Sequence, residues 1–354
     1  MGRIKTCRQC GVPLGVGKDV TWHENGVITQ AKDPDHRLIF YESDSLDDLF
    51  KGIEELIGIP IEHIVIESKR RVTRDYVEKQ VPPFVRKVLH RYGPNILSNR
   101  IRLMAIDYGY GDIKLADIRN KGDDEDFQAI SIRHPYSLPL FCGDSVGTKE
   151  AMDGRDFKVS WEQVGDHDFL ITSRVGKHPI ELQEWLDKKE YEFKPGDLKY
   201  KRCASCGVPL GVARCRWNLE EGTILDPGTG RRMAVFSPNS IEVILKDLES
   251  ELGESVPEAV IEAQRRFVRN ILGREEAFVN QPGYREMAGL RGLGYLRKVD
   301  IEDKRCTTVI ENACLPLFMV GTIKGLFEMV TENESADHSW ELLPDGDLVV
   351  ELEA

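Results

Sequence analysis

The segment Cys7-Arg-Gln-Cys-Gly-Val-Pro-Leu-Gly-Val16 returns 196 residues later as Cys203-Ala-Ser-Cys-Gly-Val-Pro-Leu-Gly-Val212. Eight of the ten positions are identical, and only the pair between the cysteines differs. No other feature constrains the chain as strongly. It reads as a tandem duplication, so each further segment has a counterpart to be sought. The expected boundaries are a first repeat over 1–178, a connector over 179–200 and a second repeat over 201–354.

Both repeats follow one order. After each knuckle come short apolar runs broken by Gly, Pro and Asp, which predict a β-hairpin or meander. The runs are Val20-Thr-Trp22, Val27-Ile28 and Leu38-Ile-Phe40 in the first copy, and Trp217, Thr223-Ile-Leu225 and Met233-Ala-Val-Phe236 in the second. Ser45 and Ser240 are expected to cap a helix. Leu46, Leu49, Phe50, Ile53, Leu56 and Ile57 fall on one helical face, ended by Gly58; Ile241, Ile244, Leu245, Leu248 and Leu252 repeat the pattern up to Gly253. A second helix is predicted from 61 to about 79, copied from 257 to about 272. It carries Glu67 with Arg70 and Arg71, matched by Glu262 with Arg265 and Arg266. At these spacings the first expectation is an ion network on the helix surface. Lys69, Arg70, Arg71 and Arg74 belong to that solvated face. A buried polar latch is the costlier alternative.

The first repeat then has an insertion from Pro82 to about Arg100. Gly109-Tyr-Gly111 and Gly292-Leu-Gly294 lead into strand-like segments, not into a helix, so they are no nucleotide loop. Asp123 to Asp126 reads as an exposed turn, without the alternating ligands of a calcium loop. Strands are predicted at 129–132 and 308–310. Helices follow around Gly147 and Glu150, and around Gly325 and Glu328. Strands at Ser160-Trp-Glu162 and 169–172 close the first repeat, and those at Ser339-Trp-Glu341 and 347–350 close the second. In the connector, Ile180, Leu182, Trp185 and Leu186 predict a short amphipathic helix. The fold class is therefore α+β, a duplicated domain about a pseudo-two-fold axis, each repeat with two amphipathic helices and an antiparallel sheet carrying a further helix.

A C-x-x-C-G turn aims two sulfurs at one ion, and its glycine permits the turn. A structural zinc site needs four ligands. If the repeats pack against each other, Cys7, Cys10, Cys203 and Cys206 close one all-thiolate site that clamps the halves. Zinc is the expected metal, with iron as the alternative because such knuckles also suit a single iron. A rival arrangement completes each knuckle locally, with Cys215 in one copy and His23 or His36 in the other. Thioredoxin-like redox motifs fit less well, since those open a helix after a strand. The remaining cysteines, among eight in 354 residues, are too scattered for a secreted disulfide framework, so a reducing cytoplasm is expected.

A net charge of −12 argues against a nucleic-acid partner. No apolar run approaches the roughly 18 residues of a membrane span. The opening Met-Gly-Arg-Ile-Lys-Thr lacks the apolar core of a secretory signal, and the loose myristoylation pattern of Gly2 and Thr6 reads as a chance match.

Gly292-Leu-Gly294, Val309-Ile-Glu-Asn312, Leu315-Pro-Leu-Phe-Met-Val-Gly321 and Lys324-Gly-Leu-Phe-Glu328 together resemble the 4-vinyl reductase domain. The first repeat echoes it through Gly109-Tyr-Gly111 and His134-Pro-Tyr-Ser-Leu-Pro-Leu-Phe141. The resemblance covers about half of each repeat. It implies an α+β domain of the kind shared with heme nitric-oxide-binding domains and Golgi-transport subunits, holding a small, often apolar molecule between helices and sheet. The pocket residues it implies are Phe141, Cys142 and Val146 in the first repeat and Phe318, Met319, Ile323 and Phe327 in the second. The chain departs from the group by carrying Glu162-Gln-Val-Gly165 and Glu341-Leu-Leu-Pro344 where many members have cysteines. Tyr136-Ser137 does not continue into the heme branch's Tyr-x-Ser-x-Arg, and no C-x-x-C-H occurs, so heme is not expected. For His90 and His134 an exposed or hydrogen-bonded histidine is expected. The leading expectation is a non-enzymatic binding or sensing protein with a zinc clamp. The alternatives are an iron redox protein or enzyme, and a scaffold for protein contacts.

Overall fold

The computed structural model describes residues 4–180, 182, 192–271, 281–302 and 304–354. In the first half, the order is α1 (Leu14–Asp19), β1 (Val20–Trp22), β2 (Ile28–Gln30), β3 (Asp33–Glu42), α2 (Asp44–Ile57), α3 (Glu62–Gln80), α4 (Pro83–Tyr92), α5 (Pro94–Tyr108), β4 (Asp112–Arg119), β5 (Phe127–Arg133), α6 (Leu138–Asp153), β6 (Phe157–Gln163) and β7 (Asp168–Val175). The second half runs α7 (Leu210–Ala213), β8 (Arg216–Asn218), β9 (Thr223–Leu225), β10 (Arg232–Phe236), α8 (Pro238–Leu252), α9 (Val256–Ile271), α10 (Gln281–Arg291), β11 (Tyr295–Glu302), β12 (Arg305–Glu311), α11 (Pro316–Thr331), β13 (Asp337–Leu342) and β14 (Leu348–Glu353). The expected mixture of helices and antiparallel sheets is present. The residues of the expected connector helix lie mostly outside the described ones.

Two four-stranded sheets have the same order, β4-β5-β7-β6 and β11-β12-β14-β13. A third sheet of six strands joins the halves in the order β1-β2-β3-β10-β9-β8. Its centre is the antiparallel pair β3–β10, with Phe40 opposite Val235 and Tyr41 opposite Ala234. Alternation along these strands sends Leu38, Phe40, Met233 and Val235 into a core beside the two knuckles. Ile39, Tyr41, Ala234 and Phe236 point the other way, into the larger core shared by both halves.

The halves are interlocked rather than laid side by side. Helix α2 packs on α9, and α3 packs on α8. The hairpin of each half docks on the other half's sheet module: Gly294 N–H donates to Gly26 O (3.2 Å), and Gly111 N–H donates to Gly222 O (2.9 Å). Arg37 of β3 donates to the backbone carbonyls of Gly292 (3.1 Å), Asn312 (2.6 Å) and Ala313 (3.2 Å). Arg232 of β10 reciprocates on His134 O (2.8 Å) and Pro135 O (3.3 Å). Arg37, buried, and Arg232, half-buried, thus satisfy turn carbonyls of the opposite half.

Several local expectations are corrected. The knuckles lead first into the one-turn helices α1 and α7, and only then into strands. Helix α2 begins at Asp44 with Ser43 at its N-cap, and α8 begins at Pro238 with Ser237 there. Ser45 lies inside α2, and its hydroxyl donates to Glu42 O (2.7 Å). The insertion forms α4 and α5. The expectation that Gly109-Tyr-Gly111 leads into a strand holds: Gly109 ends α5 in the left-handed region (φ +81°), and Gly111 precedes β4. Asp126 is not exposed: it is fully buried and accepts N–H bonds from Lys121 (2.7 Å) and Gly122 (2.6 Å) and an ion pair from Arg155 (2.6 Å).

Candidate metal centre

Each cysteine pair rides on a turn closed by the same three backbone bonds. Cys7 N–H donates to Val12 O (2.8 Å), Gly11 N–H to Cys7 O (2.9 Å) and Leu14 N–H to Lys5 O (2.8 Å). In the second knuckle Cys203 N–H donates to Val208 O (2.9 Å), Gly207 N–H to Cys203 O (2.9 Å) and Leu210 N–H to Lys201 O (2.7 Å). Gly11 and Gly207 have φ of +79° and +77°, with nothing within 4 Å of a built Cβ. Backbone conformation, not space, is why these positions favour glycine.

The two turns face each other. Cys7 Sγ lies 3.7 Å from Cys203 Sγ, and Cys10 Sγ lies 3.5 Å from Cys206 Sγ. All four sulfurs fall within 4.8 Å of one another. A tetrahedral zinc with Zn–S bonds of about 2.3 Å has S–S edges of about 3.8 Å. The four thiols therefore already stand near the corners such an ion requires. Cys7 and Cys203 are buried, and Cys10 and Cys206 are half-buried. N–H groups of Cys10 and Gln9 lower the Cys7 thiol to about 6. Burial pushes Cys10 up to about 12 and raises Cys206. Four thiolates this close repel one another, and a divalent cation removes the conflict. The donor set can hold a metal ion, and it takes two sulfurs from each half of the chain.

The local alternative is not formed. Cys215 is buried in the core beside the knuckles. His23 is within hydrogen-bonding distance of Thr29 Oγ1 (2.8 Å), and the His36 ring sits 4.8 Å from that of Tyr76. His134 packs against His167 at 4.6 Å, and burial lowers its pKa. The side chain of His90 is outside the described ones. Phe141, Cys142 and Val146 on α6, and Phe318, Met319, Ile323 and Phe327 on α11, are all buried, none more than 4% exposed.

The surface ion network expected around Glu67 is in fact a buried latch. Glu150 of α6, fully buried, accepts from Arg70 (2.6 Å) and from Phe157 N–H (2.9 Å). Arg70 also holds Glu67, and Arg71 pairs with Asp247 of α8, across the halves. Lys69 donates to Ser240 Oγ (3.0 Å) and pairs with Asp144 (3.1 Å). Glu150, Asp156 and His178 are close enough for a metal, but Arg70 and Arg74 already neutralise Glu150, so the cluster is an ion network. In the second half Glu328 accepts from Arg265 and Arg269 (2.6 Å each) and from Ala336 N–H (3.0 Å). There only Arg266, half exposed and paired with Glu262, matches the surface expectation.

The sequence signal for burial was Gly143-x-x-x-Gly147, repeated as Gly321-x-x-x-Gly325. These glycines let α6 and α11 press onto α3 and α9. A Cβ on Gly147 would stand 2.4 Å from Arg70 O, and one on Gly321 would stand 2.5 Å from Ile261 O. Helices that close put the Glu150 and Glu328 carboxylates out of reach of water. No protein-family model matches the chain, and neither does any curated protein.

Proposed function

We propose that this is a non-enzymatic binding protein, built from a duplicated domain about a pseudo-two-fold axis and clamped by one zinc ion on Cys7, Cys10, Cys203 and Cys206. The observation that carries it is the meeting, within 4.8 Å, of four sulfurs from two matching turns. Zinc is favoured over iron because a closed four-thiolate site between interlocked halves suits a structural ion with no redox role. The reciprocal contacts of Arg37 and Arg232 support the duplication. A non-enzymatic role is supported by the use made of the buried charges: Glu67, Glu150, Asp247 and Glu328 are each held by arginine.

Elemental analysis of protein purified without added metal tests the clamp. One zinc per chain is expected, lost in the Cys203→Ser, Cys206→Ser variant together with stability. Two metals per chain would refute sharing, iron would refute the zinc assignment, and no metal would refute the clamp. The binding role rests on the 4-vinyl reductase resemblance and on the matching apolar faces of α6 and α11. Because those side chains are packed, an apolar ligand has to replace packing contacts, so binding will raise thermal stability. An apolar extract without a ligand, and no thermal shift with hydrophobic compounds, would reduce the reading to a scaffold.

A further inference from the structure

The latch arginines occur twice, but the groups that neutralise them do not. Arg70, Arg71 and Arg74 of α3 correspond to Arg265, Arg266 and Arg269 of α9. In the first half Arg74 pairs with Asp156 (3.1 Å) and Glu78 (3.3 Å), and Arg71 pairs with Asp247 of the opposite half. The residue matching Asp156, just before the strand N–H that caps the buried glutamate, is Ser335. The residue matching Asp247, counted from Ser240 and Ser45, is Gly52. The second half thus keeps the three cations and has lost two of the carboxylates.

A cleft of about 300 Å³ lies there, lined by Arg265, Arg266, Arg269, Asn270 and Glu334. Arg265 is fully engaged: it donates to both oxygens of Glu262 (2.6 and 2.8 Å) and to Glu328 (2.6 Å). Arg269 uses Nη1 alone, on Glu328 (2.6 Å) and the carbonyls of Asn333 (3.2 Å) and Glu334 (2.9 Å). Arg266 uses Nε alone, on Glu262 (2.7 Å). The remaining N–H groups of Arg266 and Arg269 have no partner among the described residues. These two residues and Asn270 share one helix face at i, i+3 and i+4. Glu334, exposed on the rim, supplies its backbone carbonyl to Arg269.

We infer that this cleft binds the phosphate group of a small phosphate ester, which takes the place of the two carboxylates the first half provides. Two guanidinium groups with unused forks match a dianion, and their planar N–H pairs fit phosphate oxygens bidentately. A carboxylate carries one charge and leaves one fork unmatched. The volume is at the small end of ligand sites, room for a phosphate and a compact polar substituent.

The site is independent of the metal centre, and its test uses full-length protein as purified with its metal. Inorganic phosphate is titrated by calorimetry and by amide NMR, with acetate as the control. Saturable binding is expected, with shifts at the Arg266, Arg269 and Asn270 amides. Affinity should be higher at pH 8 than at pH 6, since inorganic phosphate takes on its second negative charge between them. Arg266→Gln should weaken binding about tenfold, the usual effect of losing one charge-assisted contact. Its side chain is half exposed, so an unchanged melting temperature without phosphate is expected; should that variant misfold, Asn270→Ala replaces it and should weaken binding severalfold. Acetate binding as tight as phosphate, shifts elsewhere than α9, or a variant that binds normally would each overturn the inference.

Discussion

Asp107, near the end of α5, is a half-buried carboxylate that the fold leaves poorly served. Its Oδ1 is buried and has no hydrogen-bond partner among the described residues. Burial, reinforced by the nearby Asp19 carboxylate, pushes its pKa from 3.8 up to about 6. A raised folded pKa means the native state binds the proton more tightly than the unfolded chain does. The penalty is absent below pH 3.8, grows between 3.8 and about 6, and is complete above that. About two pK units correspond to about 3 kcal/mol, and partial exposure of the residue lowers the figure to about 1–2 kcal/mol. The other half shows what the position tolerates. The matching residue is Leu290, which faces Gly211 as Asp107 faces Gly15. Asp107→Leu should therefore stabilise the protein by about 1–2 kcal/mol at pH 8 in urea unfolding. Asp107→Asn separates charge from packing: its gain should be present at pH 8 and gone by pH 4. A gain that does not change with pH, or no gain at pH 8 from either variant, would refute the reasoning.

Other outcomes follow from named contacts. Gly147→Ala sets a methyl 2.4 Å from the Arg70 carbonyl and should cost about 2–3 kcal/mol, whereas Gly154→Ala, left-handed but in open space, should cost about 1 kcal/mol; urea melts compare them. Arg71→Met leaves Asp247 charged and buried between α3 and α8, at a cost of about 3–5 kcal/mol, and adding Asp247→Leu should recover most of it; equal additive losses in the double-mutant cycle would exclude the pair. Burial alone would raise the pKa of Asp126, but the N–H groups of Lys121 and Gly122 and the Arg155 guanidinium hold it below the usual carboxylate range. Its contribution is present above about pH 4 and is lost as pH falls further, so Asp126→Asn should destabilise at pH 7 and progressively less below pH 3.8.

The parts of this fold legible in the sequence were those carried by period and punctuation. The apolar faces of α2 and α8, the strand alternation and the helix stops at Gly58 and Gly253 required only local rules. The four clustered cysteines that could hold a metal were legible because the knuckle is written twice. The latch was misread because Glu67, Arg70 and Arg71 have the spacing of a solvated helix pair, and spacing does not report what covers it. Burial comes from Gly147 on another helix and Asp247 in the other half, contacts between residues far apart in the chain. The small helices α1 and α7 were missed because Gly-Val-Pro-Leu-Gly has poor helical propensity. Pro13 and Pro209 set their start, and tertiary packing over Val16 and Val212 forms them.

The interlock also limits what one half can do alone. In the intact chain β10 pairs with β3, α8 with α3 and α9 with α2, and Cys203 and Cys206 stand beside Cys7 and Cys10. A fragment of residues 192–354 would lose all of these partners at once. It would present the bare edge of β10, the uncovered faces of α8 and α9 and a two-cysteine knuckle. If the halves descend from one domain, the surfaces that meet its partner are themselves near copies of that partner. A second copy can then supply a β10 edge, an α8–α9 pair and two more cysteines, closing an isologous dimer around one shared metal. The fragment should thus be unfolded, or be a dimer with one zinc per two chains that dissociates on chelation. Sedimentation with metal analysis distinguishes these outcomes. A folded, metal-free monomer would show that the halves are independent domains in contact, and that the clamp joins structures which do not need it.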